Sequence, residues 1–211
     1  MSSYDADNTQ FLVKFGREEH MRALLRRGAV FMNQLQYFVD LEKDGLRGDR
    51  NEALTGYWSH ERAKITIGGR QLLPAGPLRV WGAPDRRRAT YCLYGVSNLR
   101  DPVDPRCFTF GDLAVFFSNG QEFARRVFAA AERLGHELAL EPVRYVGRDY
   151  CGRMGAFTKL SEFSFQNEWR MVTRDPTPGP LLLEVGSLED IAMAVPLSEL
   201  AMPPGGCRTS R

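Results

Sequence analysis

The sequence predicts one α+β domain, residues 11–202, built on a split, mostly antiparallel sheet with a few helices. Three observations lead there. Short runs rich in β-branched and aromatic residues, such as "FLVKF", "ATYCLYGVSN" and "LLLEVG", recur between turns that contain Gly or Pro. Only two stretches carry an apolar stripe at helical spacing. Strands and helices do not alternate at the spacing of βαβ units, which disfavours a doubly wound sheet. At 211 residues the chain is long enough to bury a core without disulfides or metals.

The elements follow in order. "FLVKF" (residues 11–15) reads as the first strand, ended by Gly16. "REEHMRALLRRG" reads as a helix: Met21, Leu24 and Leu25 share a face, Glu18 and Glu19 suit the positive N-terminal end, and Gly28 can stop it. "AVFMNQLQYF" has strand character that becomes less regular near Asn33, and the charged, glycine-punctuated "VDLEKDGLRGDRNEAL" reads as an ordered loop or a short helix with a loop. Between Gly56 and Gly82, "AKITIGG" and "GPLRVWG" suggest a small antiparallel insertion with a Gly-Gly hairpin turn. "DLAVFFSNGQEFARRVFAAAERLG" reads as a strand through Phe117, a turn at Ser118 to Gly120, and a helix with Phe123, Val127 and Phe128 on one side. "LEPVRYVG", "FSFQNEWRMVTR", "LLLEVG" and "IAMAVPL" supply four late strands. Residues 1–10 and 203–211 lack apolar periodicity and are expected to be flexible.

Composition narrows the function. A net charge of +2 and a pI near 8.4 do not mark a nucleic-acid binder, which usually shows a concentrated basic stripe. The basic run at Asp85–Thr90 reads as a solvated loop. Cys92, Cys107, Cys151 and Cys207 are scattered without a CxxC pair, so neither a zinc site nor a disulfide framework is expected. With no apolar run of spanning length and no signal-peptide core, a cytoplasmic protein or a delivered effector is expected, with no membrane partner. Phosphate-loop, GxSxG and HExxH motifs are absent, and His20, His60 and His136 sit in polar contexts that suit solvated side chains.

The most informative stretch is "FSFQNEWRMV", residues 163–172. In an extended strand Gln166, Glu168 and Arg170 share one face, while Phe163, Phe165, Trp169 and Met171 fill the other. The polar row either lines a cleft, meets water, or fixes strand register through a Glu168–Arg170 ion pair.

Together with "AVFFSNGQEFARRVF", this stretch resembles the ADP-ribosyltransferase superfamily, in which a strand, a Ser or Thr and a helix precede a later strand carrying E-x-E or Q-x-E. The resemblance implies an ADP-ribosyltransferase-like fold that uses NAD as a substrate and modifies a protein or nucleic-acid acceptor. The setting it implies is a bacterial toxin, effector or phage-defence factor with a cognate antitoxin or immunity protein. Glu168 would stabilise the oxocarbenium-like ribose, Gln166 would orient the acceptor, and Ser118 would stand near the nicotinamide ribose. NAD contacts would come from Lys14, Tyr37, Tyr91, Phe117 and Arg170, with no metal. Lys14 stands where the family carries Arg, His or Tyr, and Tyr91 or Tyr94 are substitutes. "LQYFVDLEKDGLRGDRNEAL" and "QNEWRMV" also resemble a family of bacterial proteins of unassigned activity that ends in an E-x-E-W-R strand.

The acidic loop between the second strand and the insertion concentrates Asn33, Gln36, Tyr37, Glu42, Asp49 and Glu52. There Tyr37 could stack on a base, while Asp49 and Glu52 could orient basic side chains or hold a metal. Two rivals follow: a metal-dependent nuclease using Asp49, Glu52 and Glu168, and a non-catalytic binding or immunity module. A Ser-Asn-Gly turn that caps a helix accounts for Ser118 without chemistry.

Overall fold

In the computed structural model, which describes residues 11–41, 51–97 and 103–200, the main sheet has eight strands, all paired antiparallel. They are β1 (Phe11–Gly16), β2 (Ala29–Gln34), β7 (Ala89–Val96), β8 (Leu113–Phe117), β9 (Leu138–Pro142), β13 (Glu168–Thr173), β14 (Leu181–Glu184) and β15 (Ala192–Pro196). The α+β class and the mostly antiparallel sheet agree with the sequence.

The sheet forks at β7. One edge of β7 pairs with β13 from Thr90 to Tyr94. Its other edge serves two strands in turn: Ala89 and Thr90 pair with β2, while Tyr94, Gly95 and Val96 pair with β1. Beyond β2 lies β14, and beyond β1 lie β8 and β15. On that second edge residues 91–93 of β7 therefore face the notch of the fork, where none of the described strands pairs with them.

Strand alternation gives the two sheet faces different chemistry. Leu12, Tyr91, Leu93, Val115, Phe117 and Met171 point to one face and form the main core with α1 (Glu18–Arg27) and α4 (Gly120–Arg133). Helix α1 ends as its sequence predicts: Gly28 adopts the left-handed conformation (φ 65°) and its N–H caps the Leu24 carbonyl. Any Cβ at Gly28 would stand 2.1 Å from the Gly186 carbonyl oxygen.

The opposite face is covered by a loop-rich layer. It contains α2 (Leu35–Asp40), the small sheet of β3 (Leu54–Trp58), β6 (Leu78–Trp81) and β11 (Cys151–Arg153), and the parallel pair β10 (Arg144–Val146) and β12 (Thr158–Leu160). The isolated hairpin of β4 (Ile65–Ile67) and β5 (Arg70–Leu72) lies between β3 and β6 in the chain, and α3 (Ala83–Arg86) follows β6. Short α5 (Leu197–Leu200) ends the described chain.

Two local expectations need correction. The strand expected from Phe163 starts only at Glu168: Ser161–Gln166 form a 3-10 helix, and Asn167 in the left-handed region (φ 35°) turns the chain into β13. The aromatic alternation that imitates a strand instead lets Phe165 pack beneath Arg106, whose guanidinium lies 3.9 Å from the ring centre. The strand character of "AVFMNQLQYF" ends at Gln34, close to the irregularity expected near Asn33, and "LQYF" opens α2. The basic run is no solvated loop, because Arg86 covers Trp81 and Arg88 donates to the Thr173 carbonyl at 2.6 Å. The expected loose ends, Glu42 and Asp49 lie outside the described residues.

Candidate functional site

The polar row of β13 meets neither water nor an open cleft. Glu168 and Arg170 project toward the loop layer and are buried there with Glu52 and Lys159. They come from three parts of the chain: Glu52 from the approach to β3, Lys159 from β12, and the other two from β13.

Arg170 lies at the centre. Its Nε donates to Glu168 Oε1 (2.7 Å), and its two terminal nitrogens bind both oxygens of Glu52 (2.6 and 2.7 Å). The remaining donors reach the Ala156 carbonyl and Glu168 Oε2 (3.4 Å), so all five guanidinium N–H groups are engaged. Lys159 Nζ completes the arrangement, donating to Gln166 Oε1 (2.7 Å) and pairing with Glu168 (2.7 Å) and Glu52 (3.6 Å). Two acids face two bases, so the buried charge sums to zero.

Burial alone would raise the Glu168 pKa, but Arg170 and Lys159 outweigh it and hold the carboxyl well below the usual carboxylate range. Burial likewise works against the Lys159 ammonium, and Glu168 and Glu52 keep its pKa above the ordinary value. The thiol of Cys92, the partner of Arg170 across β7 and β13, stands beside Glu168 and adds a smaller lowering of its pKa. Burial first and Glu168 second push that thiol up to about 12. The Glu168 backbone N–H is taken by the Tyr145 hydroxyl at 2.9 Å.

The other anticipated site residues are dispersed. Tyr91 and Phe117 lie on the helix-covered face, with Phe117 stacked on Phe123 at 4.0 Å. The thickness of the sheet separates them from Glu168. Lys14 occupies the notch of the fork: its Nζ donates to the Cys92 carbonyl at 2.8 Å and lies 4.3 Å from the centre of the Tyr91 ring. Ser118 is tied to the Ile191 carbonyl through its N–H and its hydroxyl, both at 2.9 Å, and Asn119 caps α4 by accepting from the Glu122 N–H. Tyr37 stands half-exposed on α2.

No family model matches the chain, and neither a curated protein nor a solved structure is significantly similar to it. Of the anticipated residues, the fold brings together Gln166, Glu168, Arg170 and Glu52, whose carboxylate holds the basic side chain of Arg170. Lys159 was missed; its one sequence signal is a lysine inside the short apolar run "AFTKL". Among the described residues, no group of His, Cys, Asp and Glu is placed to hold a metal ion.

Proposed function

We propose that the chain is a non-catalytic recognition module in which the Gln166/Glu168/Arg170 row fastens the loop layer to the sheet. One observation carries this reading: both carboxylate oxygens of Glu168 are engaged by Arg170 and Lys159 in the interior, leaving none directed at a substrate. A carboxylate that stabilises a developing cation has to face it. Recognition then falls to the surface of the insertion around β4–β6, where Ile67, Leu72, Leu73, Val80 and Trp81 are exposed. Cys92, Cys107 and Cys151 are free thiols, which suits a reducing cytoplasm.

A second reading keeps support from the same cluster, because buried ionisable groups gathered at one place are concentrated at functional sites. In it the chain is an NAD-dependent ADP-ribosyltransferase that modifies a protein or nucleic-acid acceptor. Glu168, held ionised, stabilises the oxocarbenium and Gln166 presents the acceptor. NAD consumption by the purified protein beside Glu168→Gln, with cell lysate as a source of acceptors, separates the two. The recognition reading expects no NAD loss from either protein, no rise in melting temperature with NAD, and a lower melting temperature for the variant. NAD loss by the wild type that vanishes in a folded Glu168→Gln protein overturns it in favour of the enzyme.

A further inference from the structure

The β4–β5 hairpin presents an amphipathic surface that the described residues leave largely uncovered. Its register places Ile65 opposite Leu72 and Ile67 opposite Arg70, so Ile65, Ile67, Leu72 and the Arg70 stem share one face. Thr66 and Gln71 form the other. Two glycines at positive φ, Gly68 and Gly69, make the tight turn at the tip. In a packed protein the apolar face of such a hairpin turns inward. Here Ile67 is 64%, Leu72 47% and the following Leu73 84% exposed, and the two strands pair only with each other.

Charge is segregated onto the same insertion. Residues 61–82 carry four Lys or Arg against one acid, a surplus of three positive charges, while the whole chain is only +2. Among the described residues, Lys64 and Arg70 on the hairpin form no ion pair with an acid.

Resting on the recognition reading above, we infer that this hairpin is a docking element for an anionic membrane surface. Its exposed Ile67, Leu72 and Leu73 side chains enter the boundary between headgroups and acyl chains, and Lys64, Arg70 and their basic neighbours meet the lipid phosphates and carboxylates. The chemistry of the hairpin selects this partner over a protein. Hot spots of protein interfaces favour Trp, Tyr and Arg and are poor in Leu, whereas the large apolar side chains of residues 64–73 are all aliphatic, which suits a hydrocarbon solvent. The flanking bases supply the attraction to anionic lipid. No spanning segment is required, so the lack of one in the sequence does not bear on a hairpin that lies in the surface.

The test is co-sedimentation of the full chain with vesicles of phosphatidylcholine alone or with about a third phosphatidylserine. The protein is expected to pellet with the anionic vesicles only and to be released as salt rises from about 0.1 M to about 1 M. Neutralising Lys64→Gln and Arg70→Gln together is expected to weaken binding about 25-fold, roughly fivefold for each base. Leu72→Asp with Leu73→Asp is expected to abolish it at unchanged melting temperature, since both side chains are already solvated. Equal binding to both vesicles, no binding, or full binding by the Leu72→Asp/Leu73→Asp protein overturns the inference. So does capture of a polyglutamate peptide by the hairpin in place of vesicles, which would assign the surface to an acidic protein segment. NAD assays on the same preparations test the recognition reading separately, because NAD consumption sinks that reading whatever the vesicles do.

Discussion

Arg170 shows how a fully buried charge is tolerated: each of its donors has an acceptor, and the acids it binds are balanced by Lys159. Removing one member strands the rest. Arg170→Met or Glu52→Gln is therefore expected to destabilise the fold by about 3–5 kcal/mol in urea unfolding, whereas replacing the whole cluster by well-packed apolar residues is expected to cost far less. Lys14 answers a smaller need of the same kind, since the Cys92 carbonyl faces the notch, where none of the described strands pairs with it. Lys14→Met is expected to cost about 1–3 kcal/mol by leaving that acceptor unsatisfied. Burial, with Glu168 second for Cys92 and Asp104 second for Cys107, pushes both thiols up to about 12. Thiol titration of the native protein near pH 8 should leave both unmodified, and the unfolded chain should react at all four cysteines.

Element by element, legibility tracked how local the cause was. Helix α1 is legible in the sequence because its apolar stripe, its Glu18 and Glu19 start and its Gly28 stop all lie within a dozen residues. The strand β13 was placed too early, because Phe163 and Phe165 alternate with polar residues as a strand would, and the deciding event is the single left-handed residue Asn167. Asn tolerates that conformation better than other residues with a Cβ, and here it exchanges two hydrogen bonds with Gly95: its side chain donates to the Gly95 carbonyl at 2.5 Å and its carbonyl accepts from the Gly95 N–H at 2.8 Å. Asn167→Val is expected to lower the melting temperature more than Asn167→Gly, which keeps the turn and loses only the side-chain bond. At the candidate site the Gln/Glu/Arg spacing was visible, but its burial was not. Glu52 and Lys159 reach it from 118 and 11 residues away from Arg170, a closeness that only the loop layer creates.

For the whole molecule the cluster sets the response to pH. The Glu168 pKa is lower in the folded protein than its ordinary 4.5, so its contribution is complete above that value and is lost as pH falls below it. The Lys159 pKa is raised above 10.5, so its contribution is complete below that value and is lost only as pH climbs through the higher folded one. Melting temperature is expected to be flat from about pH 4.5 to about pH 9, to drop on acidification below that range, with a shallower drop in Glu168→Gln, and to drop above it as the thiols of the unfolded chain ionise while buried Cys92 and Cys107 stay protonated. Because the charges are buried, adding salt to about 1 M should change the plateau little. The fork at β7 carries a further consequence for how the chain is made. Its first strand, β1, gains both neighbours only when residues 89–117 exist, and Glu52 has no counter-charge until β12 and β13 have been synthesised. Sequence-distant pairings of this kind close late and slowly. A nascent or clipped chain ending before Arg170 leaves β7 with a bare edge and a carboxylate without its cation, so partial products should be substrates for chaperones and proteases rather than stable fragments.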